Sequence, residues 1–461
     1  MSATAGWLDP VKAAETDKIS LGERLAYGSG NFASQMIFNP ATAFLVYFYT
    51  DIAGIAAASV GTILLVSRLF DILNPVMGLV VDRTSTRWGK ARPWLLWIAV
   101  PFGFSAVLLF TVPDISAHGK LIYAFLTYNL VFSVIYTAQD TPYSSMLPLM
   151  TSDGHQRTMF SITRMILANF GIILSFMVTL PLVRFMGGGA KGWQRAFMVF
   201  GALATVLLLI CFRFTKERIK PVVRKESVPI KTGLLSMATN KYLILVMLLG
   251  MCLFVTLGLY GANVYFCRYF LHDAERLGPL MTIMIGAQIA GMALVGPIIK
   301  RFGKRNCAFA GIGITIVGQM AMYIAPSSYL IVAVGTVIKG LGASPLVGTL
   351  FAMVSDTIDY GEWRSGFRVD GLTFGSMALA MKSMAGLGGA ITGWVLGWGG
   401  YVAGAETQQP SAMFAIKALF LHIPLALYFV AGLITWLYTL DKHYGSINEE
   451  LKLRRAEAQA G

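Results

Sequence analysis

Two carboxylates and four basic side chains lie in stretches of this sequence that offer them no water. Asp71 sits in Arg68-Leu-Phe-Asp71-Ile-Leu-Asn74-Pro75, and Asp140 in Tyr136-Thr137-Ala-Gln-Asp140-Thr-Pro142-Tyr143, both within long apolar runs. A carboxylate near the middle of a bilayer costs about 2.5–3.5 kcal/mol on insertion scales, so it persists where it faces a polar cavity or a partner. Arg68, Lys339 and Lys382 are as deep, and Arg164 is about two helical turns inside its run, within snorkelling reach. Arg268 and Lys417 fall near the ends of theirs, where a long side chain reaches the interface.

Spacing gives these residues a chemistry. Arg68, Asp71 and Asn74 follow at i, i+3 and i+6 and share one helix face. Asp71 and Asn74 offer oxygen to a hard cation such as Na⁺, and a buried carboxylate can equally carry a proton. A purely structural Arg68–Asp71 pair is the competing reading. Tyr136 and Thr137 lie four and three residues before Asp140, and Pro142 frees a backbone carbonyl that must find a partner or water. Asn31, Gln35 and Asn39 form a neutral stripe that either lines the same cavity or bonds between helices. Carboxylates, amides, an Arg and the rings of Tyr136 and Tyr143 suit a neutral polyhydroxylated solute, a sugar, whose hydroxyl pattern charged groups can discriminate.

The elements that must hold these groups are membrane helices. Of 461 residues, 56% are hydrophobic and 13% charged, with mean hydropathy +0.65. That excludes a soluble enzyme, a disordered chain and a disulfide scaffold. Twelve apolar runs follow at 27–50, 57–81, 94–112, 120–148, 158–183, 195–213, 242–270, 279–299, 306–325, 328–355, 370–397 and 411–439. The expected fold is all-α: a 27–213 six-helix bundle, a 214–241 cytoplasmic loop and a 242–439 six-helix bundle, flanked by cytoplasmic segments 1–26 and 440–461. Of 37 Lys and Arg, 26 fall on the face shared by both ends and 5 on the other, which by the positive-inside rule makes the ends cytoplasmic. Gly78 to Arg83 and Gly296 to Arg301 close the second and eighth runs at the same offset, as parallel halves do.

The net charge of +14 thus belongs to topology, and no nucleic-acid partner is expected. Cys211, Cys252, Cys267 and Cys307 have no C-x-x-C spacing and read as small core residues. The loop Asp82-Arg83-Thr-Ser-Thr-Arg87-Trp88-Gly89-Lys90 and the acidic and basic group Asp356, Asp359, Glu362, Arg364 and Arg368 are gate candidates, with loop solvation as the plainer account. An enzyme acting on lipid-linked sugars would need a metal or acid–base pair; there are five His and no H-E-x-x-H.

Taken together, Tyr27-Gly28-Ser-Gly30, Tyr49-Thr50-Asp51, Gly61-Thr62, Arg68-Leu-Phe-Asp71, Arg83 to Pro93, Asp140-Thr-Pro142-Tyr143, Asp356-Thr-Ile-Asp359-Tyr360-Gly361-Glu362 and Lys382 resemble the glycoside-pentoside-hexuronide:cation symporters of the major facilitator superfamily, nearly end to end. The resemblance implies a coupling cation, Na⁺ or H⁺, held at Asp71 with Thr137, and no other cofactor; Asn74 joins them from the spacing alone. It implies a sugar at Asp140 and Arg164 with Tyr136 nearby, and Lys382 close to the cation; Gln35, Tyr143 and Lys382 are sugar candidates from the cavity reading. Asn74 stands before Pro75 where the family often has a second carboxylate, and Ser34-Gln35 and Ser144 replace a Lys-Asp pair and a Trp of the melibiose carriers. Secondary uptake of a glycoside, pentoside or hexuronide across a bacterial inner membrane is expected, by a monomer. A lysolipid-like amphiphile symporter on the same scaffold is the alternative.

Overall fold

In the computed structural model, residues 19–151, 153–219 and 230–460 are described. Among them the helices make twelve membrane-length spans: 21–52, 57–83, 92–109, 117–150, 154–185, 189–214, 241–270, 274–302, 304–321, 329–365, 370–398 and 410–437. The starts are capped where the sequence supplies an oxygen. Ser20 accepts from Glu23 N, Ser116 from Gly119 N and Asn240 from Leu243 N. Eight spans are apolar enough over 18 residues to cross a bilayer by composition alone. The first, second, ninth and eleventh are not among these eight, and the first, second and eleventh carry Gln35, Arg68 with Asp71, and Lys382.

Two expectations need correction. The tenth helix does not stop near residue 355 but runs to Ser365, so Asp356, Asp359, Glu362 and Arg364 stand on a helix. Asp356 pairs with Lys304 and holds that extra length to the ninth span. Gly366, at φ +78, then ends it in the left-handed conformation that glycine adopts without strain. The segment after the sixth span contains a helix, Ile230–Thr239, and the tail forms Tyr444–Ala460, fastened to the tenth span by Tyr444 Oη on Asp359 (2.7 Å) and Trp363 Nε1 on Glu450 (2.8 Å).

Spans 1 to 6 form one group, in which 1, 3, 5 and 6 pack most closely, and spans 7 to 12 form the other. The two groups meet where span 2 lies on 11, 5 on 8 and 1 on 7. Glycine allows the close crossing of spans 2 and 11. A Cβ on Gly393 would lie 2.6 Å from Gly61 N, and one on Gly61 2.6 Å from Ala390 O. One end of the first group is filled by stacked rings: Phe110 lies 3.6 Å from Phe197 and 5.4 Å from Trp193, centroid to centroid.

Candidate functional site

The second span changes pitch at the site. Ser67–Ile72 is a 3₁₀ segment, with three residues per turn, so Arg68 and Asp71 eclipse one another. Pro75 contributes here because it has no N–H to return to the Asp71 carbonyl. Arg68 Nη1 lies 3.3 Å from Asp71 Oδ2, while Nη2 donates to Tyr128 Oη and Nε to Leu64 O. Lys382, from the eleventh span, reaches across the two groups. Its Nζ lies 3.4 Å from Asp71 Oδ1, 3.4 Å from Thr137 Oγ1 and 3.5 Å from Phe132 O. Asp71 itself is fully buried. The sequence expectation grouped Lys382 with the sugar ligands, close to the cation; the structure puts its ammonium on Asp71 and Thr137, 6.0 Å from the Tyr136 ring. The side chain of Asn74 lies outside the described residues.

The fourth span is interrupted by a π turn, Leu130–Ile135, just before Tyr136. The extra residue rotates the remainder of the span, so that Tyr136, Asp140, Thr141, Ser144 and Ser145 all face a cavity of about 950 Å³. Arg68, Tyr128 and Lys382 share its wall, and Phe38, Leu45, Phe132, Phe254 and Leu257 supply apolar surface. Asp140 is half-buried there. Tyr143 points the other way: it is buried, stacks on Tyr27 at 4.8 Å and donates to Tyr27 O (2.8 Å). Arg164 lies over its ring at 5.1 Å. Gln35 bonds within its own helix, donating to Asn31 and accepting from Asn39. Lys339 sits over Tyr428, inside the second group.

One end of the cavity is shut. Asp51, 2% exposed at its side chain, accepts from Arg268 Nη1 (2.8 Å), from Tyr401 Oη (2.9 Å) and from Gly404 N (3.1 Å). Asp51 belongs to span 1 and these three donors to the second group, so this cluster ties the groups together. Arg184 and Glu275 do so again at 3.0 Å on the same face. Arg268 therefore turns inward, where the sequence reading sent it to the interface. On the opposite, basic face the gate candidates pair within their own group. Arg368 holds Asp359 and Glu362, and Arg364 donates to Thr239 O. Arg83 is exposed and Arg87 stacks on Trp88 at 4.4 Å. The backbone N–H groups of Lys90, Ala91 and Arg92 all donate to the Glu217 carboxylate, at 2.8, 2.9 and 2.6 Å. The side chain of Asp82 lies outside the described residues.

Sequence reasoning passed over Asp51, Tyr401, Glu217 and Gly386. Gly386 leaves room for Arg68, whose Cδ would lie 2.2 Å from a Cβ at that position. Only Asp51 carried a visible signal, within Tyr49-Thr50-Asp51.

Comparison with known proteins agrees with this architecture. Residues 26–442 match the family model described as MFS/sugar transport protein. The isoprimeverose transporter of Lactiplantibacillus pentosus is 34% identical, covering 98% of this chain and 95% of that protein. The inner membrane symporter YicJ of Escherichia coli K12 is also 34% identical, covering 93% and 94%. Among solved structures, a bacterial homolog of the human lysosomal transporter Spinster, in an inward-facing and occupied conformation, superposes with TM-score 0.63 at 14% identity, covering 91% of this chain and 96% of that one. That likeness concerns the fold alone. With twelve spans in two packed groups, a cavity between them and sequence matches along almost its whole length, the chain belongs to the MFS/sugar transport proteins, and among them to the glycoside-pentoside-hexuronide:cation symporters.

Proposed function

We propose that the chain is a secondary active symporter that takes up a glycoside, pentoside or hexuronide together with Na⁺ or H⁺, by alternating access and without breaking any bond of the solute. The observation that carries this reading is the cavity wall itself. Asp140 presents its carboxylate to a sugar-sized space beside the Arg68–Asp71–Lys382 cluster, at the junction of the two groups of spans. Asp71, with Thr137 and Asn74, serves the cation. Asp140 and Tyr136 serve the sugar, with Arg164 steering from behind Tyr143. Coupling follows if each ligand raises affinity for the other.

In this reading the basic face is cytoplasmic, both termini are inside, and the Asp51 cluster closes the outer side of an inward-facing monomer. The names of the relatives, an isoprimeverose transporter and an inner membrane symporter, support both the sugar and the membrane. Counterflow in proteoliposomes against a panel of glycosides, xylosides and uronides tests it. Exchange of at least one sugar, weakened in Asp140→Asn, is the expected result; a protein that exchanges none would end the sugar reading. The apolar wall of the cavity favours a second solute class, an amphiphile such as a lysolipid, which would then compete in place of the sugar.

A further inference from the structure

Lys382 Nζ is surrounded by a carboxylate, a hydroxyl and a backbone carbonyl, at 3.4, 3.4 and 3.5 Å. All three are hard oxygen donors, the set that a small monovalent cation would take from this protein. An ammonium already occupies the middle of it. The other carboxylate oxygen of Asp71 is taken by Arg68 at 3.3 Å, so each oxygen of that carboxylate already has a fixed positive charge against it. A third cation entering between them would meet the Lys382 ammonium and the Arg68 guanidinium at close range. Repulsion between unit charges about 4 Å apart at a protein-like dielectric weakens binding by roughly a thousand-fold. A proton avoids this penalty, because it adds to the nitrogen lone pair and brings no second ion into the cluster.

The placement of Lys382 also explains what a proton would do. Asp71 and Arg68 face it from the second span, and Asp140 and the phenols of Tyr128 and Tyr136 from the fourth. The first and seventh spans bring apolar side chains to the same wall, Phe38, Phe254 and Leu257 among them. As an ammonium, Lys382 binds the eleventh span to the second and fourth, across the junction of the two halves. As an amine it leaves Arg68 and Asp71 as a neutral pair and releases that junction.

We propose that Lys382 Nζ is the resident cation of this site, so that the symporter couples to protons through this amine and excludes Na⁺. The inference rests on the reading of Asp71 as the coupling site. The step is balanced by water: hydronium on the outer side gives a proton to the amine, forming an N–H bond and water, and the ammonium returns the proton to water on the inner side.

The test uses the full chain in liposomes, with a substrate first identified by counterflow, which needs no ion gradient. An inside-alkaline pH gradient in Na⁺-free buffer should drive accumulation at least ten-fold, and a Na⁺ gradient at equal pH should drive none. Lys382→Arg, which keeps the charge but does not release its proton, should lose pH-driven accumulation and, like the parent protein, bind no Na⁺. Lys382→Gln should open the site, so that radioactive Na⁺ binds saturably at least 100-fold more tightly than to the parent protein. Accumulation by the parent protein on a Na⁺ gradient alone, or pH-driven accumulation by Lys382→Arg, would overturn the proposal. If no sugar gives counterflow, the transport reading falls, and Na⁺ binding to purified protein still decides this one: saturable binding to the parent chain sinks it, and binding gained only in Lys382→Gln upholds it.

Discussion

Asp51 and Arg268 meet at 2.8 Å from opposite halves of the molecule, on the face away from the termini. The carboxylate is almost wholly buried and collects further donors from Tyr401 and Gly404, so the pair lies inside a hydrogen-bonded cluster where screening by salt is weak. Removing one member of a buried pair leaves the other charge uncompensated, at a cost of about 3–5 kcal/mol. That cost falls on the closed state alone. Asp51→Ala is therefore expected to shift the population toward a conformation open on this face. The check is a cysteine at Thr42, which lines the cavity, with the four native cysteines replaced. A membrane-impermeant maleimide added from this side should label it at least ten-fold faster in the Asp51→Ala background, and an unchanged rate would show that the cluster does not hold the gate.

Gly386 should tolerate no side chain. The Cβ of an alanine would lie 2.2 Å from Arg68 Cδ and 2.4 Å from Nε, so the guanidinium must leave its place against Asp71 and Tyr128. Small-to-large changes in packed interiors cost about 1–3 kcal/mol, which a molecule of this size survives. Gly386→Ala is expected to reach the membrane in normal amount and to lose at least nine-tenths of its transport rate. Uptake at the parental rate would mean that Arg68 is not required where it stands.

How much of the site was legible in the sequence depends on the cost of burial. Asp71 and Asp140 stand deep in apolar runs, and the price of hiding a charge in lipid made a cavity the natural inference. Asp51 and Arg268 lie within a turn or so of their span ends, where a charge reaches water cheaply, so nothing in the local sequence said that they turn toward each other. The depth of Lys382 in its run pointed to the cavity, but not to which side chain its ammonium meets. Its contact with Asp71 depends on a 3₁₀ segment and a π turn in spans 2 and 4, and a one-residue change of helical pitch leaves no periodic signature in so apolar a run. Gly386 and Glu217 act through contacts with residues far away in the chain, which spacing does not encode.

Asp140 offers a cleaner separation of binding from folding. It lines the cavity, and among the described residues its carboxylate makes no ion pair or hydrogen bond within the fold. Asp140→Asn keeps the shape and removes the charge. Hydrogen bonds to a charged group are worth about 1.5–3 kcal/mol, so sugar affinity should fall by about 10- to 100-fold with the melting temperature unchanged. Binding of the counterflow substrate by calorimetry, beside a thermal melt, reads both quantities. A drop in melting temperature of several degrees would reassign Asp140 to the structure.

The signature loop before the third span depends on Glu217 in a way that makes the opposite prediction, stability lost before transport chemistry. Its carboxylate receives the backbone N–H groups of Lys90, Ala91 and Arg92, which begin a helix and have no intrahelical acceptor of their own. A negative charge there also meets the positive end of the helix dipole. Glu217→Ala strands three donors, and an unmet buried donor costs about 1–3 kcal/mol. Gly89 is needed for the same contact: it sits at φ +114, and a Cβ would lie 2.4 Å from the Glu217 carboxyl carbon. Glu217→Ala and Gly89→Ala should each lower the melting temperature, and the double variant should lower it by less than the sum, because both break one interaction. Additive losses would show that the glycine and the carboxylate act independently.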